Sequence, residues 1–207
     1  MAKIAPFENH TEEYDNWFNN NPVKYQAELN ALISVIPHSS NGLEIGIGSG
    51  KFAKPLGIHM GVDPSVKMAK KSKSLGLSVV LGVAEKLPFI SKSFDFVLMV
   101  TTLCFVDDIN KTFQESYRVT KQNGFIILGF IDKESELGKI YRQNQEKNRF
   151  YNIATFFSTQ EILEHLTQAG FHKFQIKQTI FPGKNQTLKI ENGFGCGSFV
   201  VIKAQKI

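Results

Sequence analysis

The sequence predicts an α/β protein: a doubly wound, mostly parallel sheet with helices on both faces. Three observations predict it. Short, nearly continuous apolar runs recur between residues 43 and 131, as strands covered on both faces require. Segments of helical character separate them, and parallel neighbours need such covering elements to bring the chain back. Two more strand-like runs near the C-terminus leave no room for a helix between them, which predicts an antiparallel hairpin.

The elements follow in order. Residues 1–41 read as an N-terminal helical cap carrying the aromatic stretch YDNWFNNNPVKYQAEL at 14–29. The strand runs are LEIGI at 43–47, MGVD at 60–63, SVVLGVA at 78–84, FDFVLMVTT at 94–102 and GFIILGFI at 124–131. KFAKPLGI after the first, PSVKMAKKSKSLG after the second and DDINKTFQESYRVTKQNG after the fourth read as helices. In the last of these Ile109, Phe113 and Tyr117 share a face, Asp107 or Asp108 supplies an N-cap and Gly124 closes the helix. Residues 132–157 are polar and aromatic, with 138–157 placed to act as a lid. FSTQEILEHLTQAGF then reads as a helix with Ser158 at the N-cap and Gly170 at its end. FHKFQIKQTIF at 171–181 and GSFVVIKAQK at 197–206 form the hairpin, so that 158–207 is a helix-and-hairpin unit closing a single domain of 1–207 around a core of 42–131.

Composition narrows the function. The chain has 207 residues, 42% of them hydrophobic and 21% charged, which is enough for one full core. Its net charge is +5, but the cations are mostly dispersed lysines, with arginine only at 118, 142 and 149. Specific nucleic-acid readout favours clustered arginine, so nucleic acid is disfavoured as a partner, and KMAKKSKS at 67–74 reads as one solvated helix face. Cys104 and Cys196 have no spacing suited to a disulfide framework or a zinc site, and His10, His38, His59, His165 and His172 have none suited to a metal or a triad. No leader pattern opens the chain, and its longest near-apolar run, FVLMVTTLCFV, is too short to span a bilayer. The expectation is a cytoplasmic protein with no bound metal and no membrane partner.

The chemistry concentrates at strand ends. GLEIGIGSG at 42–50 places Gly46, Gly48 and Gly50 at alternate positions behind the first strand, where bare backbone lets a flat or anionic group approach closely. The spacing is GxGxG, with Lys51 where a dinucleotide-binding turn carries its third glycine, so a pyrophosphate is not the expected ligand. Asp63 ends the second strand, about one βαβ step later, where a carboxylate can accept both hydrogen bonds of a ribose diol. The third strand ends in GVAEKLPF, offering the Ala84 amide and the Glu85 side chain to the edge of an adenine. Together these strand ends suit a nucleoside.

LEIGIGSG, GVDPSVKM, GVAEKLPF, SFDFVLMVTTLCFVDD and VTKQNGFIILGF resemble, in order and spacing, the class I S-adenosylmethionine-dependent methyltransferases of the ubiquinone/menaquinone-biosynthesis-like type (methyltransferase type 11). The resemblance implies a Rossmann-like, seven-stranded sheet with an antiparallel last strand, and S-adenosyl-L-methionine as cofactor with S-adenosyl-L-homocysteine as product. It implies that Glu44, Gly46, Gly48 and Gly50 hold the methionyl part, that Asp63 binds the ribose hydroxyls and that Ala84 and Glu85 face the adenine. Many relatives carry an aspartate before the Ala-Glu pair; Val83 stands there in this chain. Residues 14–29 resemble a segment that covers the cofactor in some of these enzymes, with Tyr14, Trp17, Phe18 and Tyr25 placed to attract a sulfonium and exclude water.

Methyl transfer from a sulfonium is an in-line displacement, so the protein supplies alignment and a dry site, and no catalytic residue is obligatory. The end of the fourth strand puts Thr101 beside the cofactor and Thr102, Cys104 and Phe105 toward a small-molecule methyl acceptor, with Phe18 on the same side. Asp132, just past the fifth strand, is a candidate proton acceptor. Cys104 lacks an evident basic neighbour and reads as a packed thiol rather than a nucleophile. Three other functions fit the same turn: a non-catalytic S-adenosylmethionine-binding protein, an NAD-dependent oxidoreductase and an RNA methyltransferase. GxGxG argues against the second; the lack of an NPPY-like tetrapeptide, with TTLC in its place, argues against the third.

Overall fold

The computed structural model describes residues 3–37, 40–183 and 188–207; His38 lies outside the described residues. Five parallel strands run in the order β3 (Ser78–Leu81), β2 (Met60–Asp63), β1 (Gly42–Ile45), β4 (Phe94–Val100) and β5 (Thr120–Ile131). The sheet continues through β8 (Phe199–Lys206), β6 (Phe171–Thr179) and β7 (Glu191–Asn192). β8 lies between β5 and β6, antiparallel to both. The expected hairpin is therefore present, with its second strand inserted against the parallel sheet. The eighth strand is the two-residue β7, which lies in the connection between the hairpin strands and pairs with β6.

Period-2 alternation divides the core between the two faces. From β4, Phe96, Leu98 and Val100 pack with Phe18 and with Ala27, Ala31 and Leu32 of α3 (Pro22–Ile33) on one face. Val97 and Met99 face the other way, toward Phe113 of α5 (Ile109–Val119) and Ile162 and Leu166 of α7 (Thr159–Gln168). α4 (Val66–Ser74) buries Met68, Ala69 and Ser72 and leaves Lys67, Lys70 and Lys73 in solvent, the solvated face read from KMAKKSKS. The helix is capped by Ser65, whose side chain accepts from the Met68 N–H. Asp108 caps α5 in the same way, and α7 carries a full capping box between Ser158 and Glu161.

Two expected elements differ. KFAKPLGI forms a string of turns rather than a helix. Two α-type bonds form there (Lys54 N–H to Gly50 O and Leu56 N–H to Phe52 O, both 3.2 Å), but Pro55 between them has no N–H to donate and Gly57 turns the chain at φ 70°, so no regular helix is built. Gly124 does not close α5, which ends at Val119. The strand begins immediately at Thr120, and Gly124 lies in an irregularity of β5 between the Phe94–Thr120 and Phe96–Phe125 pairings. A Cβ there would meet the Asp95 carbonyl oxygen at 2.5 Å.

The chain winds from β1 outward to β3, then returns to β4 on the opposite side of β1. The crevice of an open α/β sheet lies at such a reversal, beyond the carboxyl ends of the two strands. Among the described residues no helix is long and apolar enough to cross a membrane.

Candidate functional site

A cavity of about 400 Å³ opens at this reversal, within the roughly 300–1000 Å³ range of small-molecule sites. Its floor is the chain leaving β1, β2, the turn after β3 and β4; α2 (Thr11–Asn20), α3 and the segment after β5 close over it. At the floor Gly46, with φ 73°, packs so close to the next strand end that a Cβ would lie 2.4 Å from Thr102 Cγ2. Gly48, with φ 55°, leaves open space toward the cavity: a Cβ there would stand 3.5 Å from the Tyr14 hydroxyl, in the space between loop and wall. Gly50 turns away from the cavity, against Leu77, Leu75 and Ser72.

Gly50→Ala therefore tests packing. Its Cβ would meet Leu77 Cδ1 at 2.7 Å with φ at 81°. Stability is expected to fall by roughly 2 kcal/mol, from the left-handed backbone and the overlap together, read as a lower denaturation midpoint.

Asp63 ties this loop to the next crossover. Its Oδ2 accepts from the Gly48 N–H at 2.8 Å and its Oδ1 from the Ser65 N–H at 2.8 Å. The carboxyl is 7% exposed, and burial pushes its pKa up to about 6 against these two amide bonds. Each oxygen keeps a second lone pair, and the residue lines the cavity. On the outer side Glu8, from α1 (Ala5–Asn9), accepts from Ser65 Oγ at 2.7 Å and from the Lys67 N–H, fastening the N-terminal helices over α4. Asp15 of α2 accepts from Ser49 Oγ and Lys71 Nζ, and Ser72 Oγ donates to the Gly48 carbonyl.

Glu44 lies one residue behind the cavity wall. It is 1% exposed, its Oε2 has no hydrogen-bond partner among the described residues, and burial raises its pKa well above the carboxylate range, opposed by the Ala53 amide. Glu85 lines the cavity, while its Oε1 accepts from the Asp107 N–H at 2.6 Å and holds the entry to α5. The turn carrying Ala84 and Glu85 is pinned from below. Glu115 accepts from the Leu87 N–H, and Arg118 donates to the Leu87 and Phe89 carbonyls.

Aromatic rings form the upper wall: Tyr14, Trp17, Phe18, Phe105, Phe150 and Tyr151. The segment after β5 contains α6 (Glu136–Gln143) and two short 3₁₀ turns, Gln145–Lys147 and Tyr151–Ile153. It meets the N-terminal helices through Phe150 against Phe7 (5.7 Å between centroids) and Arg149 to Glu13 (2.8 Å), and Tyr151 stacks on Phe105 and Tyr141.

Of the residues singled out from the sequence, the cavity brings together Gly46, Gly48, Asp63, Ala84, Glu85, Thr101, Thr102, Phe105, Tyr14, Trp17 and Phe18. Five lie outside its lining. Glu44 and Gly50 are behind the loop, and Tyr25 donates its hydroxyl to the Lys51 carbonyl, bracing the loop from outside. Cys104 faces a separate void of about 30 Å³, its thiol pushed up to about 12 by burial and donating to the Thr101 carbonyl. Asp132 accepts from the Thr159 N–H and hydroxyl and from the Glu134 N–H, joining the end of β5 to α7.

The sequence reading missed Glu28, Tyr141 and Ile180, all of which line the cavity. It also missed the backbone at Thr101 (φ 52°) and Ile180 (φ 58°), two β-branched residues in the left-handed region at the cavity edge. Such strain persists only where the surroundings enforce it, and it clusters at working sites.

The glycine turn, the carboxylate one crossover later and the aromatic wall define an α/β protein with a small-molecule cavity at the reversal of its sheet. Residues 43–128 match the methyltransferase domain family. A solved S-adenosylmethionine-dependent methyltransferase of Thermotoga maritima, described as a possible histamine N-methyltransferase, superposes with a TM-score of 0.95 at 42% identity, over 99% of this chain and 100% of that one. A protein of Methanocaldococcus jannaschii without an assigned activity is 43% identical across 97% of this chain and 98% of its own. The ubiquinone/menaquinone biosynthesis C-methyltransferase UbiE of Rickettsia bellii is 32% identical over 70% of this chain and 74% of its own. The chain belongs to the S-adenosylmethionine-dependent methyltransferases.

Proposed function

We propose that the protein transfers a methyl group from S-adenosylmethionine to a small-molecule acceptor inside this cavity. The observation that carries the reading is Asp63, a buried carboxylate on the cavity wall, bonded to the glycine turn where the sheet reverses its winding. The residues present suit the cofactor: Gly48 leaves unfilled the space a side chain would take, and aromatic faces favour a sulfonium. When bound, S-adenosylmethionine supplies an electrophilic methyl group on sulfur.

In this reading Asp63 accepts the ribose hydroxyls, Gly46 and Gly48 admit the methionyl backbone, and the Ala84 amide meets the adenine edge. Glu85 is held by the Asp107 amide, so its part is to shape the turn as much as to contact the base. Tyr14 and Trp17 exclude water from above. Thr101, Thr102 and Phe105 border the reacting centre, and Phe18 packs behind Tyr14 with ring centroids 5.2 Å apart. The 138–157 segment acts as a lid over the acceptor end. Asp132, committed to Thr159 and Glu134, is a positioning residue for the start of that segment rather than a base.

A cavity of this size suits a small acceptor, as does the similarity to the Thermotoga enzyme over nearly the whole chain. The test is transfer of a labelled methyl group from S-adenosylmethionine to a panel of amines, phenols and thiols. Turnover with at least one member is expected. Binding of S-adenosylhomocysteine with no transfer to any member would favour a non-catalytic binding protein.

A further inference from the structure

We propose that Glu28 anchors an amino group of the acceptor, which makes a small aromatic or apolar amine the substrate class. The inference rests on the methyltransferase reading of the same cavity. Glu28 sits in the middle of α3, is 4% exposed and lines the cavity. Its neighbours Ala27, Leu29, Ala31 and Leu32 are buried in the core, so the helix cannot roll to release the carboxyl to solvent.

No hydrogen bond or ion pair joins the Glu28 carboxyl to another described residue. Burial pushes its pKa up to about 8, and only the charge of Lys24 opposes this. Lys24 lies one helical turn earlier, half-buried at the cavity edge, and forms no ion pair with Glu28. The other acids of the lining are engaged: Asp63 by two amides, Glu85 by Asp107, and Glu13 by Arg149 and His10. Lys3 donates to Thr155. Glu28 is thus the lining carboxyl left without a protein partner.

Its surroundings choose the ligand. Burial raises the pKa of the phenols of Tyr14 of α2, Tyr25 of α3, Tyr141 of α6 and Tyr151 of the second 3₁₀ turn, and the nearby charge of Glu28 adds to each shift as a smaller contribution. A buried carboxyl without a partner is unfavourable, and a charged amine offers up to three donors to satisfy it. Aromatic faces attract the same cation, and the apolar wall accepts the ligand's body.

The test is calorimetric titration of the S-adenosylhomocysteine-loaded protein with histamine, 2-phenylethylamine and its neutral isostere 2-phenylethanol, in wild type and Glu28→Gln. The amines are expected to bind at least tenfold more tightly than the alcohol to the wild type, and Glu28→Gln to abolish that preference with S-adenosylhomocysteine affinity unchanged. Equal binding of amine and alcohol, amine binding undiminished in Glu28→Gln, or no saturable amine binding would each overturn the proposal. Loss of S-adenosylhomocysteine binding itself would instead overturn the cofactor reading, and the amine comparison would then be made on the unloaded protein. Glu28→Gln keeps size and replaces the ionisable carboxyl with a neutral amide; circular dichroism melting of both proteins establishes that a lost preference is not a lost fold.

Discussion

Asp63→Ala is expected to weaken S-adenosylhomocysteine binding by roughly 100-fold, since two hydrogen bonds to a charged acceptor are worth about 1.5 kcal/mol or more each. The effect should exceed that of any other single change on the floor, because Asp63 performs two tasks. It presents lone pairs to the cavity, and it holds the Gly48 and Ser65 amides, which set the loop and the start of α4. Asp63→Asn separates them. One amide oxygen still accepts from backbone, but the diol loses its bidentate carboxylate, so affinity should fall with a smaller change in stability. Calorimetric titration with parallel thermal melts measures both. Unchanged affinity in Asp63→Ala would remove the residue from the site.

The second large effect concerns pH. Glu28 and Asp63 have pKa values raised from 4.5 to about 8 and from 3.8 to about 6, both chiefly by burial, and burial also raises that of Glu44 well above the carboxylate range. When the folded pKa lies above the unfolded value, the folded state holds a proton that the unfolded state has released. Stability from these groups is therefore fully present below about pH 4 and lost as pH rises toward 8. Glu8, Asp95, Asp108, Glu115 and Glu161 have lowered pKa values, chiefly through hydrogen bonds to neighbours. Their stabilisation is lost only on acidification below about pH 4.5, outside this window.

At about 1.4 kcal/mol per pH unit, Glu28 alone costs the apo protein on the order of 2 kcal/mol between about pH 6 and pH 8. That corresponds to roughly 5 °C in Tm for a chain of this size. Thermal melts should show the Tm falling across this interval and Glu28→Gln flattening the fall. The scan stops near pH 9, because Cys104 and the buried phenols of Tyr14 and Tyr151 add losses of the same sign beyond it. A Tm that rises from pH 6 to 8 would contradict the burial of these acids.

The parallel strands were legible as short apolar runs: β1 and β4 are covered on both faces, whereas the edge strand β3 buries only Val79 and was legible from its β-branched residues. The hairpin was legible as two runs without a helix between them, but the insertion of β8 between β5 and β6 is a choice of edge that local pattern does not encode. The first crossover was misread because Phe52, Ala53 and Leu56 carry helical spacing, while Pro55 and Gly57 interrupt the hydrogen bonds that would use it. Gly124 was misread for a related reason: its glycine serves a close approach to the Asp95 carbonyl, which depends on a neighbouring strand rather than on α5.

At the site, residues fixed by strand ends were legible, since a glycine turn and a following acid are local features. Those that arrive by tertiary packing were not. Glu28 follows Lys24 by four residues, the spacing of an exposed helical pair, and only the docking of α3 on the sheet buries it. Tyr141 and Tyr151 stood within a segment readable as polar and aromatic but without a period to say which rings face inward. The left-handed backbone at Thr101 and Ile180 has no signature in a β-branched residue.

The most direct measurement is a crystal structure of the protein with S-adenosylhomocysteine. The nucleoside is expected along Gly46, Gly48 and Asp63 with the ribose on the Asp63 carboxylate, and the sulfur is expected to face the chamber bordered by Thr101, Phe105 and Glu28. A ligand bound away from the glycine turn, or a ribose with no contact to Asp63, would contradict the account.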